Sequence, residues 1–432
     1  MMLEFIKMRK YTDAKKIKHL EIRLLGMKMR IPLSSWYSYF QTKRNTSRAR
    51  KLAREVIQRD LPGFLRSKNA WLSREEKREK RRLFITSGNF HLINVLSIID
   101  TLKEQDDLPV ENHVIVWSIE TNKPFEDLNY KIAKSFGVTH YHACCGPYWE
   151  INRVAQYLIE QKLYAVDEIY SLQRPIHLNV YNMLYQGVEH IITDESYFTL
   201  VPSPEIIATQ CKKFVTTCYL GKLDYADFPG RSWSVEHLPK HVFDRVARRC
   251  EQMYPFPSLI HPDSKPIVFC GTCDAVLNES IAERQEHIVQ SLIDRGYLVL
   301  YKPHPRDATL PRESAQLKIL HTRLPLECYR MDGVLAVVSL YSSASTQSYH
   351  YSQIPGFIDY QALETEPLEY ISILAQQYTP PVERLLDIDT ASLNAHELKK
   401  RINDIYVSHL NDKPLMSQNE LFTKSFHNAL QN

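Results

Sequence analysis

The chain of 432 residues lacks the long apolar segments that cross a membrane, because it has no run of about eighteen or more apolar residues. Its first seven residues, MMLEFIK, have neither the apolar core nor the small-residue cleavage site of a signal peptide. The eight cysteines are scattered, without the spacing of a disulfide framework or of a four-ligand zinc site. We therefore expect a cytosolic protein with reduced thiols and no metal centre.

Glycine is scarce, at 12 residues, and neither a Gly-x-x-x-x-Gly-Lys-Ser/Thr loop nor a Gly-x-Gly-x-x-Gly loop occurs. ATP-binding loops of the first type and dinucleotide sites of the second type therefore have no support in the sequence. The remaining composition is ordinary, with 44% hydrophobic and 24% charged residues. A chain of this length and composition can form two globular domains, each with its own core.

The net charge of +4 conceals a basic first segment. Residues 1–82 contain 24 Lys and Arg against 8 Asp and Glu, a net charge of +16, so the rest of the chain carries about −12. The stretch Arg48–Ile57 is compatible with a helix, and we predict that residues 1–82 form a basic, helical extension. Such a segment is attracted to anionic surfaces, and a peripheral contact with the inner membrane face is one interpretation. A solvated helical appendage is the other.

Nucleic acid is not an expected partner, because the basic residues come without zinc-ligand spacing, an RNA-binding signature or a basic zipper. From Leu83 onward, short apolar strands alternate with amphipathic helices, a pattern typical of parallel sheets covered by helices on both faces. A Pro-rich passage at residues 254–262 separates two such blocks. We predict α/β domains over residues 83–260 and 261–410, followed by a helix at 411–432 that crosses back to the first domain.

The residues YKPHPRD at 301–307 are the most informative stretch of the chain. They follow an apolar run that reads as a buried strand, and His304 lies between Pro303 and Pro305. Each proline fixes its own φ and restricts the residue before it, so the imidazole is held on a stiff turn. In open α/β sheets, ligands bind past the carboxyl ends of strands. His304 is therefore a candidate site residue, although an incidental histidine at a turn would give the same pattern.

Three further polar groups also follow predicted strands or open predicted helices. Asp194 and Glu195 are adjacent carboxylates. In a dry cleft their proximity would raise the pKa of one of the two, which suits a general base; an acidic surface turn is the alternative. Ser342 and Ser343 could bind a phosphate at a helix N-terminus, or they could merely cap it. Glu327 could accept hydrogen bonds from ribose hydroxyls, or it could simply complement a helix dipole.

In this order, the acid pair, the His-Pro, the Pro-x-Glu and the Ser-Ser resemble the bacterial sialyltransferases. The likeness is to the lipooligosaccharide sialyltransferases and the capsule polysialyltransferases, which share an Asp/Glu-Asp/Glu-Gly, a His-Pro and a Ser-Ser/Thr motif. The loop SGNFHLIN at 87–94 also looks like their first strand-to-helix loop. The resemblance covers about residues 83–350. Ser196 stands where the family has glycine, which leaves open whether Asp194 or Glu195 is the base.

The resemblance implies the GT-B architecture, in which two Rossmann-like domains enclose a cleft. It implies an inverting, metal-independent transfer of sialic acid, or a related nonulosonic acid, from a CMP-activated donor to a glycan hydroxyl of lipooligosaccharide or capsule. Asp194 or Glu195 would be the base, and His304 would donate a proton, or a strong hydrogen bond, to the departing phosphate. The donor site would comprise Gly271, Thr272, Lys302, Pro305, Glu327, Ser342 and Ser343, and the acceptor side Ser87, Asn89 and His91. No cofactor beyond the donor substrate is implied.

Two other functions remain open. A CMP-Kdo-dependent transferase of capsule linker synthesis would keep the architecture and change the donor. A non-catalytic glycan-binding assembly protein would use the basic segment instead of the cleft. Two weaker motifs are a Cys-x-x-Cys at Cys270 and Cys273, which resembles thioredoxin-type redox sites, and an Asp-x-Asp at Asp387 and Asp389, which resembles the metal motif of other glycosyltransferases. Neither has the sequence context that its chemistry needs.

Overall fold

The structure is a computed structural model. It describes residues 6–12, 18–24, 27–32, 47, 50–59, 61–72, 79–118, 123–145, 152–172, 175–193, 213–217, 223–224, 234–258, 264–272, 279–304, 310–363, 375–412 and 416–417. Among these residues, no helix combines the length and the apolar character needed to span a bilayer.

The first part of the chain contains eleven of the described strands and seven of the described helices. The strands are β1 (Ile6–Thr12), β2 (Lys18–Leu24), β3 (Met27–Pro32), β4 (Lys80–Ser87), β5 (Val110–Ser118), β6 (His140–Cys145), β7 (Glu168–Ser171), β8 (Glu189–Thr193), β9 (Lys213–Thr216), β10 (Leu223–Asp224) and β11 (Ser234–His237). The helices are α1 (50–59), α2 (Pro62–Leu72), α3 (Gly88–Gln105), α4 (Lys123–Ser135), α5 (Asn152–Glu160), α6 (Pro175–Leu184) and α7 (Lys240–Met253).

The second part begins after residues 259–263, which lie outside the described residues and include the predicted domain boundary. Its strands are β12 (Pro266–Cys270), β13 (Leu298–Lys302), β14 (Leu317–Ile319), β15 (Ala336–Ser339), β16 (Gly356–Ile358) and β17 (Met416–Ser417). Its helices are α8 (Glu279–Asp294), α9 (Ser343–Ser352), α10 (Tyr360–Leu363), α11 (375–378), α12 (Glu383–Leu386) and α13 (Ala395–Asp412), with a 3₁₀ turn at Leu326–Cys328.

Each part is built on a parallel sheet with Rossmann strand order. The first sheet has the order β11-β9-β8-β7-β4-β5-β6, and the second has the order β14-β13-β12-β15-β16. All pairings in both sheets are parallel. In each sheet the chain builds outward from a first strand, β4 or β12, and then returns to its other side. The predicted fold class, α/β with two Rossmann-like units of GT-B type, is confirmed.

The two sheets share a hydrophobic core on the faces that carry α3 and α7. One cluster of buried side chains includes Val95 of α3 and Phe243 of α7 together with Val268 of β12 and Tyr351 of α9. Helix α7 contributes Val242, Phe243, Val246, Ala247 and Cys250, whose spacing forms a single apolar stripe. Separate clusters cover the outer faces of the two sheets. The shared cluster joins the two Rossmann-like units.

The prediction of a helical extension over residues 1–82 is wrong in two respects. Strands β1, β2 and β3 form an antiparallel sheet over part of this segment. Helices α1 and α2 are present, but their side chains Ala53, Val56 and Phe64 lie fully or almost fully buried in the core of the first domain. The domain therefore includes residues well before Leu83.

The charge run before Leu83 also has a structural role that composition does not reveal. Arg82 is only 2% exposed, and its guanidinium donates to Asp106 at 2.6 Å and to Glu168 at 2.7 Å. A buried arginine requires such partners, because an unpaired charge in a protein interior is costly. Arg82 therefore belongs to the sheet, and it cannot contact an anionic surface.

The prediction of a C-terminal helix at 411–432 is also wrong for the described part of that range. Helix α13 ends at Asp412, and β17 follows at Met416–Ser417. This strand pairs in parallel with β10 of the first part of the chain. The chain does cross back to the first part, but by a strand; residues 418–432 lie outside the described residues.

Candidate active site

The strand order of the second sheet creates a crevice between β12 and β15. These two strands are neighbours, and the chain leaves them in opposite lateral directions, because β13 lies beside β12 and β16 beside β15. Gly271 follows β12, and Ser342 follows β15, so both loops lie at the same carboxyl edge. This topological switch point is where open α/β sheets bind ligands. The structure thus brings together two parts of the predicted donor site.

The loop after β12 is held by hydrogen bonds that leave its backbone close to the crevice. The Gly271 N–H donates to the carbonyl of Lys302 at 2.9 Å, and the Thr272 N–H donates to Gln285 Oε1 at 3.0 Å. The amide of Gln285 in turn donates to the Tyr301 hydroxyl at 2.9 Å. Gln285 was not predicted, since a glutamine on an amphipathic helix gives no sequence signal. It positions the buried Thr272.

Ser342 is the N-cap of α9. Its hydroxyl accepts a hydrogen bond from the Ala344 N–H at 3.3 Å, and its own N–H donates to Ser339 Oγ at 2.8 Å. The Ser345 hydroxyl donates to the Ser342 carbonyl at 2.9 Å. The capping interpretation is therefore confirmed for Ser342, while half-buried Ser343 occupies the first turn of the helix. Binding of a phosphate at this N-terminus stays a prediction.

Lys302 and Glu327 are the charged residues of the predicted donor site. Glu327 is only 8% exposed, and its burial raises the pKa of the carboxyl group, while its own backbone N–H and the nearby Lys302 act in the opposite direction. A carboxylate kept in a nearly dry pocket opposite a cation can accept strong hydrogen bonds from ligand hydroxyls.

The raised pKa of Glu327 predicts a pH-dependent stability effect. In the folded protein this carboxyl group holds its proton to higher pH than in the unfolded chain, so wild-type stability is lost as pH rises through the raised pKa. Glu327→Gln removes that loss. Its thermal midpoint should equal that of wild type below the ordinary pKa of a glutamate and exceed it by a growing margin as the pH rises toward the raised pKa. Glu286→Gln, at an exposed position on α8, is the control for the loss of one carboxyl group. A pH-independent gap for Glu327→Gln would contradict the assignment.

His304 lies two residues beyond the end of β13, at the same carboxyl edge as Gly271, and it is half-buried. Strand β13 is the neighbour of β12 on the side away from β15. Adjacent strands lie about 4.8 Å apart, so the end of β13 is within about 10 Å of the end of β15. Pro305 lies outside the described residues. The placement of His304 agrees with its predicted role, which stays a prediction.

The first strand-to-helix loop has a different role from the one predicted for its histidine. Gly88 adopts a φ of 65° between β4 and α3, and the Ser87 N–H donates to His91 Nδ1 at 3.0 Å. Because Nδ1 accepts, Nε2 carries the proton and donates to Thr193 Oγ1 at 2.6 Å. His91 is fully buried, so it does not face an acceptor as expected. It fixes the end of β8 instead.

The two carboxylates predicted to supply the general base, Asp194 and Glu195, lie outside the described residues. Their immediate predecessor Thr193 is the last residue of β8 and is held by His91. Strand β8 ends at the carboxyl edge of the first sheet, two strands from β4. The role of the two carboxylates stays a prediction.

The acceptor-side loop touches the second domain directly. The Asn89 side-chain amide donates to the Arg323 carbonyl at 3.4 Å, close in sequence to Glu327. Phe90 packs edge-on against Tyr351 of α9, with ring centroids 5.9 Å apart, and Tyr351 also contacts Phe243 at 4.5 Å. Asn89 Oδ1 is buried without a hydrogen-bond partner among the described residues. Asn89 thus lies where both domains meet.

The two weaker motifs gain no support. Burial raises the pKa of the Cys270 thiol to about 12, which is opposite to the thiolate stabilisation of redox sites, and Cys273 lies outside the described residues. Asp389 accepts from the Ala391 N–H at 3.1 Å in a turn. The adjacent Thr390 carbonyl binds Lys265, which precedes β12, so this turn is at the amino edge of the sheet, away from the crevice.

The sequence matches no protein-family model and no curated protein. Among solved structures, the UDP-GlcNAc 2-epimerase from Neisseria meningitidis bound to UDP-GlcNAc is 12% identical, with 82% of this chain and 100% of that chain covered and a TM-score of 0.46. The UDP-GlcNAc 2-epimerase from Methanocaldococcus jannaschii in complex with UDP-GlcNAc and UDP is 11% identical, with coverages of 82% and 99% and a TM-score of 0.46. The glycosyltransferase SnogD from Streptomyces nogalater is 12% identical, with coverages of 82% and 100% and a TM-score of 0.44. Similarity at this level says nothing about the substrate.

Proposed function

We propose that the protein is a glycosyltransferase that moves a nonulosonic acid, such as sialic acid, from a CMP-activated donor to a glycan hydroxyl. The observation that carries the proposal is the switch-point crevice of the second sheet. There the Gly271 loop and the N-terminus of α9 flank one opening, Lys302 ends the neighbouring strand β13, and the Glu327 side chain is buried. Backbone N–H groups suit a phosphate, and a buried carboxylate suits ribose hydroxyls.

The chemistry would run between the two domains. A hydroxyl oxygen of the acceptor attacks the anomeric carbon of the donor, and the bond from that carbon to the CMP phosphate oxygen breaks. Asp194 or Glu195 takes the hydroxyl proton, and His304 donates a proton to the departing phosphate. Lys302 and the N-terminus of α9 stabilise the phosphate charge. Attack on the face opposite CMP inverts the anomeric centre.

The choice of CMP follows from the motif order, which resembles the bacterial sialyltransferases, whereas two of the similar structures were solved with UDP-GlcNAc bound. Binding of CMP, UMP and AMP measured by calorimetry would discriminate these donors. We expect CMP to bind more tightly than UMP or AMP. Glu327→Gln should weaken CMP binding by about tenfold or more, since hydrogen bonds to charged groups contribute about 1.5–3 kcal/mol.

Other outcomes of that titration would favour the competing functions. Preferred binding of UMP would keep the fold and replace the donor by a UDP-sugar. Preferred binding of CMP, together with transfer activity on CMP-Kdo alone, would indicate a transferase of capsule linker synthesis. Failure to bind any nucleotide would favour a non-catalytic glycan-binding assembly protein.

We also propose that the basic N-terminal segment contacts an anionic membrane face. Residues 1–46 contain 11 Lys and Arg against 3 Asp and Glu, a net charge of +8, and they precede the helices that belong to the domain core. Deleting residues 1–46 should abolish binding to vesicles rich in anionic lipid at low salt, because each basic residue near such a surface contributes about 1 kcal/mol. Transfer to a soluble acceptor should stay within about twofold. Unchanged vesicle binding by the truncated protein would refute this contact.

A further inference from the structure

A cluster of two imidazoles and one carboxylate lies far from the crevice, where β5 and β6 begin. Glu111 and His113 are two residues apart on β5 and therefore point to the same face of the sheet. His140 is the register partner of His113 on the adjacent strand β6. One possible ligand atom from each residue lies within 4.8 Å of the other two. Since ligands of the transfer reaction bind at the carboxyl edge, this cluster is a separate site.

The hydrogen bonds around the two rings leave one nitrogen of each available. His140 Nδ1 lies 3.2 Å from Gln161 Oε1, which can only accept, so Nδ1 carries the proton and Nε2 keeps its lone pair. His113 Nδ1 lies 3.2 Å from the Tyr157 hydroxyl. Metal-binding histidines are commonly held in this way, with the second nitrogen bonded to a neighbouring oxygen.

The strongest indication is the remaining nitrogen of His113. The side chain is only 1% exposed, yet among the described residues Nε2 has no hydrogen bond of good geometry. Its neighbour is Glu111 Oε2, at 3.5 Å. Buried polar atoms are nearly always satisfied, so an orphan nitrogen needs an explanation such as an ion or a water molecule.

Arg81 orients the Glu111 carboxylate through one of its two oxygens. The Arg81 Nε–H donates to Glu111 Oε2 at 2.5 Å. Among the described residues the second carboxylate oxygen has no hydrogen bond, and the guanidinium acts as the outer hydrogen bond that commonly orients a ligating carboxylate.

We propose that Glu111, His113 and His140 bind one Zn²⁺ ion, with water in the fourth position. Two imidazoles and a carboxylate are a donor set that suits zinc, with bonds of about 2.0–2.2 Å. Such bonds place tetrahedral ligand atoms about 3.4 Å apart, so the half-buried Glu111 and His140 side chains move inward from their present spacing, which is within 4.8 Å. Binding also turns the His140 ring out of its stack on His113, where the centroids are 4.2 Å apart. The ion would tie edge strand β6 to β5, independently of the proposed transferase activity.

The test is a titration of the metal-free full-length protein with Zn²⁺, and with Co²⁺ as a spectroscopic substitute. We expect one strong site per chain, visible-region absorption from tetrahedral Co²⁺ and a higher thermal midpoint with Zn²⁺. His140→Ala and Glu111→Gln, both at half-buried positions, should weaken binding by more than about tenfold and abolish the thermal shift. His142→Ala is the matched control, because His142 lies on the same face of β6 and outside the cluster.

Absence of a stoichiometric site in the wild type would overturn the proposal. So would equal affinity in wild type and His140→Ala, since the ion would then be held by other residues. Loss of binding in His142→Ala with retention in Glu111→Gln would assign the ion to a different ligand set. Circular dichroism of each metal-free variant shows whether it is folded, so that lost binding is not confused with a lost fold.

Discussion

Replacing His304 by alanine should lower kcat/KM for sugar transfer by about 10²–10⁴-fold, the usual contribution of a positioned general acid. The residue lies just past β13 at the carboxyl edge of the donor sheet, close to the Gly271 loop, whose N–H donates to the Lys302 carbonyl. Without a proton donor, the CMP phosphate leaves with its full negative charge. Affinity for CMP should change only a few-fold, because Glu327 and the N-terminus of α9 remain in place.

The control for this variant is His287→Ala, at an exposed position on α8. It should retain wild-type activity within about twofold. If His304→Ala kept more than about a tenth of the activity, another group would have to protonate the phosphate. If it lost CMP affinity and activity in parallel, His304 would be a binding residue rather than the acid.

Replacing Gly356 by alanine should remove most of the stability of the donor domain. A Cβ at Gly356 would lie 1.7 Å from the backbone oxygen of Ser345 and 3.0 Å from Ser348 Oγ. A backbone oxygen cannot swing away, so α9 would have to move as a body and take Ser342 and Ser343 with it. The cost should exceed about 3 kcal/mol, the upper part of the usual range for overpacking. Chemical denaturation followed by circular dichroism would measure it.

Gly63→Ala is the matched control for this substitution. A Cβ there would lie 3.8 Å from Ile159 Cδ1, an ordinary contact, and the residue is in helix α2. Alanine should therefore leave stability unchanged or raise it by up to about 1 kcal/mol. A Gly356→Ala protein as stable as Gly63→Ala would show that α9 does not pack on β16 at this distance.

The fold class could be predicted because the burial of strands and helices imposes a local pattern of apolar residues on the sequence. Apolar runs such as those that became β5 and β13 alternate with amphipathic helices, and this alternation is sufficient to indicate parallel sheets. The strand order could not be read in this way, since it depends on which distant segments pair. The basic segment misled the prediction because its charges suggested an exposed helix. In the structure, Arg82 is buried by its pairing with Asp106 and Glu168, which are distant in sequence.

The candidate site was predicted only as far as residue type and strand ends allow. Gly271, His304 and Ser342 all follow strands, and the structure places them at one edge of one sheet. The burial of His91 was missed, because its partner Thr193 is 102 residues away.

The same limit applies to the proposed zinc site. His113 and His140 are register partners on neighbouring strands, and a separation of this kind has no counterpart in the local ligand spacings by which zinc sites are recognised. Contacts between residues that are distant in the chain therefore could not be predicted from this sequence. This holds both at the crevice and at the amino edge of the first sheet.

Release of CMP from CMP-sialic acid, with and without galactose- and sialic-acid-terminated acceptors, tests the central claim most directly. We predict release that is stimulated by one of these acceptors and accompanied by the sialylated product. Silence with CMP-sialic acid and with every other CMP-activated nonulosonic acid, from a folded protein, would contradict the assignment of the crevice as a CMP-sugar site.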